Sequence, residues 1–193
     1  MEFEYPPGAT PLDLDEIAGL IPKHITTQAQ LNDWESANIF EAMRWANKQK
    51  SDSFFEEGFL RKLHQKMFNQ TWRWAGTFRS SNKNIGVDWP QIAMKIHDLL
   101  ENGRYQLEHQ IYELDELAVR FHHQLVLIHP FPNGNGRHAR LMADILIMQS
   151  GQTRFSWGGA RTTAASDIRQ EYLAALRAAD AGEIQPLLRF AQS

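Results

Sequence analysis

From His129 to Arg140 the chain reads HPFPNGNGRHAR, and the residue types in this dozen share a chemical use. Gly134 and Gly136 let the main chain turn through conformations closed to other residues and let a ligand come close to the backbone. Apolar periodicity resumes in RHARLMADILIMQ, so the loop runs into a helix N-terminus, where unpaired amides and the positive pole of the macrodipole favour an anion. Asn135 adds a side-chain amide. Arg137 and Arg140, three apart on one helical face, add forked donors that match phosphate oxygens. The set reads as a polyphosphate cradle. His129 stands just upstream, and an imidazole is the side chain suited to take a hydroxyl proton beside such a phosphate. Asn-Gly pairs also make ordinary turns, and a bare GNG is a weak signal. A turn alone, however, needs neither His, Asn and two Arg at this spacing nor Phe131 to lock the loop into the core.

The elements around the dozen read as helices. Thr27 and Gln30 form a capping-box start for a helix through Leu31, Trp34 and Trp45 to about Lys48, and Ser53 with Glu56 repeats that signal before the stripe Phe59, Leu60, Leu63, Met67 and Phe68. In TWRWAGTFRSSNKNIGVDWP small turn formers interrupt strand-like stretches, which predicts a hairpin or flap. Pro90 suits the first turn of the helix QIAMKIHDLL, with Asn102-Gly103 as its stop. Asp115 opens the helix that carries Leu117, Phe121, Leu125 and Ile128 into the dozen, and Ala181-Gly182 divides the remaining segment into two. The expectation is an all-α domain of six to eight helices with one hairpin, preceded by a proline-rich arm.

Composition bounds the function. The 193 residues, 42% hydrophobic and 22% charged, suit a single globular unit, and a formal charge of -3 offers no general field for nucleic acid or anionic membrane. No apolar run approaches the roughly 18 residues of a membrane helix. The absence of cysteine excludes a disulfide framework and thiolate metal sites, and a cytoplasmic location is expected. His122, His123, His129 and His138 lack HExxH spacing, so a zinc site is not expected; one of the adjacent pair His122 and His123 should pack while the other faces solvent. Trp72, Trp74 and Trp89 could stack on a base, though large aromatics more often build the core.

The dozen resembles the Fic family signature, H-x-F-x-[D/E]-G-N-G-R-x-x-R, at every specified position but one. WRWAGTFR with NKNIGV resembles the family's flap, AVRFHHQLVLIHPF the helix entering the motif, and RQEYLAALRAADAGEIQPLLRF its closing helices. In size and motif variant it is most similar to the subgroup called mobile mystery protein B, encoded on mobile elements beside a small helix-turn-helix partner. The resemblance implies a Fic-fold helical bundle with a β-hairpin flap over the active site, residues 26–193 forming the domain and 1–25 an arm with a short helix. It implies transfer of AMP from ATP to a Tyr, Ser or Thr hydroxyl of a target protein. By the same resemblance His129 would be the general base and Phe131 the loop anchor. Asn135 and the amides around Gly134 and Gly136 would hold the α-phosphate, Arg137 and Arg140 the β- and γ-phosphates. Asn84, Ile85, Gly86 and Val87 would pair with the target's main chain as an added strand.

Asn133 is the departure, standing where the signature has an acid that binds Mg²⁺. An amide oxygen can ligate magnesium but brings no charge, so metal affinity should fall. Slower AMP transfer, a different nucleotide-derived donor, or nucleotide and partner binding without efficient transfer all stay open. Many relatives are silenced by a glutamate in [S/T]-x-x-x-E-[G/N] that pairs with the second arginine of the motif. Glu35 in LNDWESAN is the nearest match, with Leu31 and Ser36 off pattern, and an ordinary surface glutamate is the expected reading. A separately encoded inhibitory partner is then expected instead. Lys83 in the flap is expected to be solvated, or else to touch a target or nucleotide.

Overall fold

A computed structural model of the chain describes residues 11–25, 27–49, 53–159 and 165–193. Among the described residues it has eight α-helices and no β-strand: α1 Leu14–Ile17, α2 Gln28–Ala46, α3 Glu57–Phe68, α4 Ile92–Glu108, α5 Leu114–Ile128, α6 Asn135–Gln149, α7 Ala165–Asp180 and α8 Gln185–Gln192. Most of the proline-rich opening lies outside these residues.

Local signals account for several boundaries. The Thr27 hydroxyl accepts from the Gln30 amide and the Gln30 side chain accepts from the Thr27 amide, so the capping box forms as expected. Three boundaries differ. Glu56, not Ser53, precedes the first turn of α3, and α5 begins at Leu114, one residue ahead of Asp115. Helix α4 follows a 3-10 turn at Trp89–Gln91 and runs through Asn102-Gly103 to Glu108. Gly103 is there for close packing: a β-carbon would lie 2.7 Å from the Phe55 ring and 3.2 Å from that of Phe121.

Helices α5 and α6 share the most extensive helix contact, with α4 on α5, α2 on α3 and α7 on α8 around them. Phe121, Leu125 and Ile128 of α5 and Ala139, Met142, Ala143 and Ile147 of α6 are buried there, the two alanines one turn apart letting the backbones approach. Burying each large apolar side chain contributes about 1.5–3 kcal/mol, so this pair is the rigid support of the loop between them.

The expected hairpin does not form. The only strand-like pairing among the described residues is an isolated bridge between Leu20 and Trp72. Each limb of the flap instead bonds to the chain leaving α5, Arg79 N donating to Pro130 O at 2.9 Å and Val87 N to Ile128 O at 3.3 Å. The Arg79 side chain fills the space between the limbs, where a ladder would have run.

Candidate active site

The loop from His129 to Gly134 is fixed at both ends by left-handed residues. His129, at the C-terminus of α5, has φ 54° and ψ 58°, and Pro130 forbids a further helical turn. Gly134, at the N-terminus of α6, has φ 79°, and a β-carbon there would lie 2.5 Å from the Phe68 ring. Only glycine meets both conditions without strain.

Between these points the loop is packed and bonded. Phe131 is fully buried, its ring stacked on His64 at a centroid distance of 3.7 Å and edge-on to His138 at 5.1 Å. Its ring packs the loop against α3 and α6. Asn135 accepts from Phe131 N at 2.9 Å and donates to Phe131 O at 2.8 Å, so its side chain first closes the loop on itself. His64 is a contributor that sequence reasoning missed. Its Nδ1 accepts from Gly76 N at 3.0 Å, which leaves the proton on Nε2 to donate to Asn133 O at 3.0 Å. The sequence hinted at this only by placing a histidine among the apolar positions of α3.

The neighbouring histidines differ from expectation too. His122 and His123 are both buried, the first bonded to the Tyr172 hydroxyl at 3.1 Å and the second to Asp180 at 2.8 Å. Helices α4, α6 and α8 all contact α5 and cover both sides of it. Trp72 is core, and Trp74 stacks on it at 5.0 Å, while Trp89 is exposed.

The electrostatics suit a neutral base beside an anion site. Burial pushes the His129 imidazole down to about 4, with the Arg79 cation acting in the same direction and a hydrogen bond to the Val126 backbone opposing it. At neutral pH the ring is therefore uncharged, as a proton acceptor must be. Among the described residues no side chain caps α6, and the amides of Asn135, Gly136 and Arg137 precede its first intrahelical bond, from His138 N to Gly134 O. The two arginines lean onto different neighbours. Arg137 bonds Glu35 of α2 at 2.6 Å and lies over the Phe68 ring, while Arg140 lies over the Tyr172 ring of α7 at 5.3 Å, close enough for each cation to act on the other.

Two residues read as solvated are buried instead. Glu35 is 3% exposed and also accepts from Trp72 Nε1 at 2.7 Å. Its arginine partner is the first of the motif pair, whereas the resemblance implies the second. Lys83 is pinned between Asp13 at 2.7 Å and Glu16 at 2.6 Å, which joins the flap to α1. Asn84, Ile85 and Gly86 form the exposed flap tip, with Val87 half-buried. A β-carbon on Gly86, whose φ is 100°, would lie 2.7 Å from that of His129, so the tip packs directly against the root of the His129 side chain.

The residues do not provide a resident magnesium site. Among the described residues no cluster of three or more His, Asp or Glu could hold a metal, and the Asn133 side-chain oxygen already accepts from Gly134 N. An open groove of about 380 Å³ is lined by Glu57, Arg61, Lys62, Gln65 and Thr77, none of which belongs to the motif.

The family model described as the Fic/DOC family matches residues 54–147, a span that includes α3, the flap, α5 and the whole loop. Residues 54–147 are similar to the Fic/DOC family. Protein adenylyltransferase Fic of Nematostella vectensis is 27% identical over 167 residues, covering 81% of this chain and 36% of that protein. Protein adenylyltransferase fic-1 of Caenorhabditis briggsae is 37% identical over 75 residues, 39% of this chain and 13% of that protein. The chain thus spans about an eighth to a third of these curated relatives. The BepC protein of Bartonella tribocorum, solved with bound AMPPNP, matches with a TM-score of 0.69 at 18% identity over 93% of this chain and 97% of that one. At that identity the likeness concerns the Fic/DOC fold.

Proposed function

We propose that this chain transfers AMP from ATP to a hydroxyl side chain of another protein. The observation that carries this reading is the joint placement of a neutral, buried His129 and an uncapped helix N-terminus at the two ends of one rigid loop, inside the span similar to the Fic/DOC family. Names of adenylyltransferases among the relatives support it.

In this reading the target hydroxyl approaches beneath Gly86 and its oxygen attacks the α-phosphorus. The bond to the bridging oxygen breaks and pyrophosphate leaves, while the hydroxyl proton passes to the His129 imidazole. The amides of Asn135, Gly136 and Arg137 face the phosphate, and Arg137 and Arg140 swing from Glu35 and Tyr172 to its outer oxygens. Alignment and electrostatics supply the rate. Magnesium is treated as part of the incoming nucleotide, since Asn133 adds no charge to it. The exposed main chain of residues 84–86 presents an edge to which an extended target segment adds.

Glu35 is assigned an inhibitory role, because the oxygen it places on Arg137 occupies a donor that the phosphates need. A separately encoded partner, a cytoplasmic setting and kinship with the mobile mystery protein B subgroup complete the reading. A second reading, a nucleotide-binding protein with weakened transfer or another donor, is favoured by Asn133 alone. Incubation with ATP labelled on the α-phosphate and cell lysate tests the first: label enters protein with the natural chain and not with His129→Ala. Absence of label from ATP, alongside retained nucleotide binding or label from another nucleotide donor, supports the second.

A further inference from the structure

We infer that Arg79 is a positioning residue, whose guanidinium holds the flap and His129 in one register so that the target hydroxyl meets the base. The inference rests on the transferase reading above.

Arg79 is 3% exposed, and its hydrogen-bond partners among the described residues are all main-chain carbonyls. Nε donates to His129 O at 2.7 Å, one terminal nitrogen donates to Ser81 O at 2.8 Å, and the other donates to Val87 O and, at 3.4 Å, to Ile128 O. Two of these carbonyls belong to the flap and two to the end of α5. The Arg79 amide adds a bond to Pro130 O, so three successive carbonyls, 128 to 130, are all taken by this one residue.

A buried cation with no carboxylate in its bonding shell is costly. Here the negative pole of α5 offsets that cost, since the carbonyls concerned are the last of that helix and the first beyond it. The planar fork matters as much as the charge, because three separate nitrogens meet four carbonyls on two segments, whereas an ammonium gathers its donors on one nitrogen. The contact falls where alignment is most sensitive. The carbonyl bound by Nε belongs to His129 itself, the left-handed residue that ends α5. Gly86 closes the group, its β-carbon position lying 2.7 Å from the His129 β-carbon and 2.8 Å from an Arg79 terminal nitrogen. If the fork is lost, the flap tip and the imidazole lose their common support.

The phosphate side of the loop is held by other means, the Asn135 bonds to Phe131 and the His64 bond to Asn133, none of which involves Arg79. The inference therefore predicts a split between transfer and nucleotide binding. Arg79→Lys retains charge and Arg79→Gln retains a donor. In both, the rate of labelled AMP incorporation at saturating ATP should fall about 100-fold, the loss expected from misplacement by about 1 Å. AMPPNP affinity measured by calorimetry should stay within about two-fold in the same variants. The Val87 amide, bonded to Ile128 O, should exchange faster with deuterium. Millimolar guanidinium should partly restore the rate in Arg79→Ala.

A rate in Arg79→Lys within about three-fold of the natural chain would overturn the inference. So would AMPPNP affinity falling in step with the rate, since that would mark general loss of structure. If the natural chain shows no transfer at all, the transferase reading fails; unchanged Val87 exchange in Arg79→Lys would then separately refute the tie between flap and loop.

Discussion

Replacing Glu35 with Gln tests whether the pair with Arg137 competes with nucleotide. The glutamate side chain is 3% exposed and the arginine 31%, with 2.6 Å between them. Charge centres about 4 Å apart attract by about 1 kcal/mol when fully screened and by about 4 kcal/mol near a protein surface. With a third of the arginine open to solvent, about 1–2 kcal/mol is the appropriate figure. Phosphates must break this pair to take Arg137, so removing the glutamate charge should tighten ATP binding by about 5–30-fold. Glutamine keeps an oxygen for the Trp72 indole, which donates to Glu35 at 2.7 Å, so the fold should be little disturbed. Alanine leaves that buried N–H without its acceptor, at about 1–3 kcal/mol, and should lower Tm by roughly 2–4 °C for each kcal/mol. Calorimetric titration with AMPPNP and a labelling assay measure the effect. If Glu35→Gln binds AMPPNP no tighter than the natural chain while melting at the same temperature, the competition does not exist.

Other outcomes are equally definite. Asn133→Asp restores a carboxylate at the loop and should increase magnesium-dependent AMP transfer by about ten-fold or more, each ten-fold corresponding to about 1.4 kcal/mol; identical rates across a magnesium titration would contradict the role given to Asn133. Gly134→Ala places a β-carbon 2.5 Å from the Phe68 ring at φ 79° and should destabilise by about 2–4 kcal/mol, read as a lower Tm with loss of AMPPNP binding. Burial pushes His122 down to about 3 and His129 and His138 to about 4, while His64 is also well below its ordinary 6.5. Between pH 6.5 and 4 the unfolded chain binds the extra protons. The stability from these neutral rings is therefore complete above pH 6.5 and falls with acidification by about 1.4 kcal/mol per pH unit for each ring. Asp144, raised to about 6 by burial, acts in the opposite sense. A Tm that stays constant from pH 7.5 to 5 would contradict the buried, neutral state of the rings.

What the sequence disclosed was mostly local. The loop and both its helices were legible because glycine, proline and apolar spacing act within a few residues, and Phe131 sits where its neighbours imply. The partners of the loop were not legible, because they come from far along the chain: Arg79 reaches His129 across 50 positions, His64 reaches Asn133 across 69, and Glu35 reaches Arg137 across 102. Nothing in LNDWESAN distinguishes a glutamate that faces water from one that meets a motif arginine. The hairpin expectation failed for a related reason. Small residues and strand formers in the flap promised a ladder, but the guanidinium between the limbs and the carbonyls beyond α5 supplied better partners.

The salt link from Lys83 to Asp13 and Glu16 bears on where the folding unit begins. The family match starts at residue 54, yet a recombinant fragment cut there would leave an ammonium group, nearly sealed from water, with neither of its counter-ions. The same cut would strip Trp72 of the carboxylate that receives its indole hydrogen. The smallest piece able to fold with its flap in place therefore has to start ahead of Asp13, more than forty positions before the family match begins.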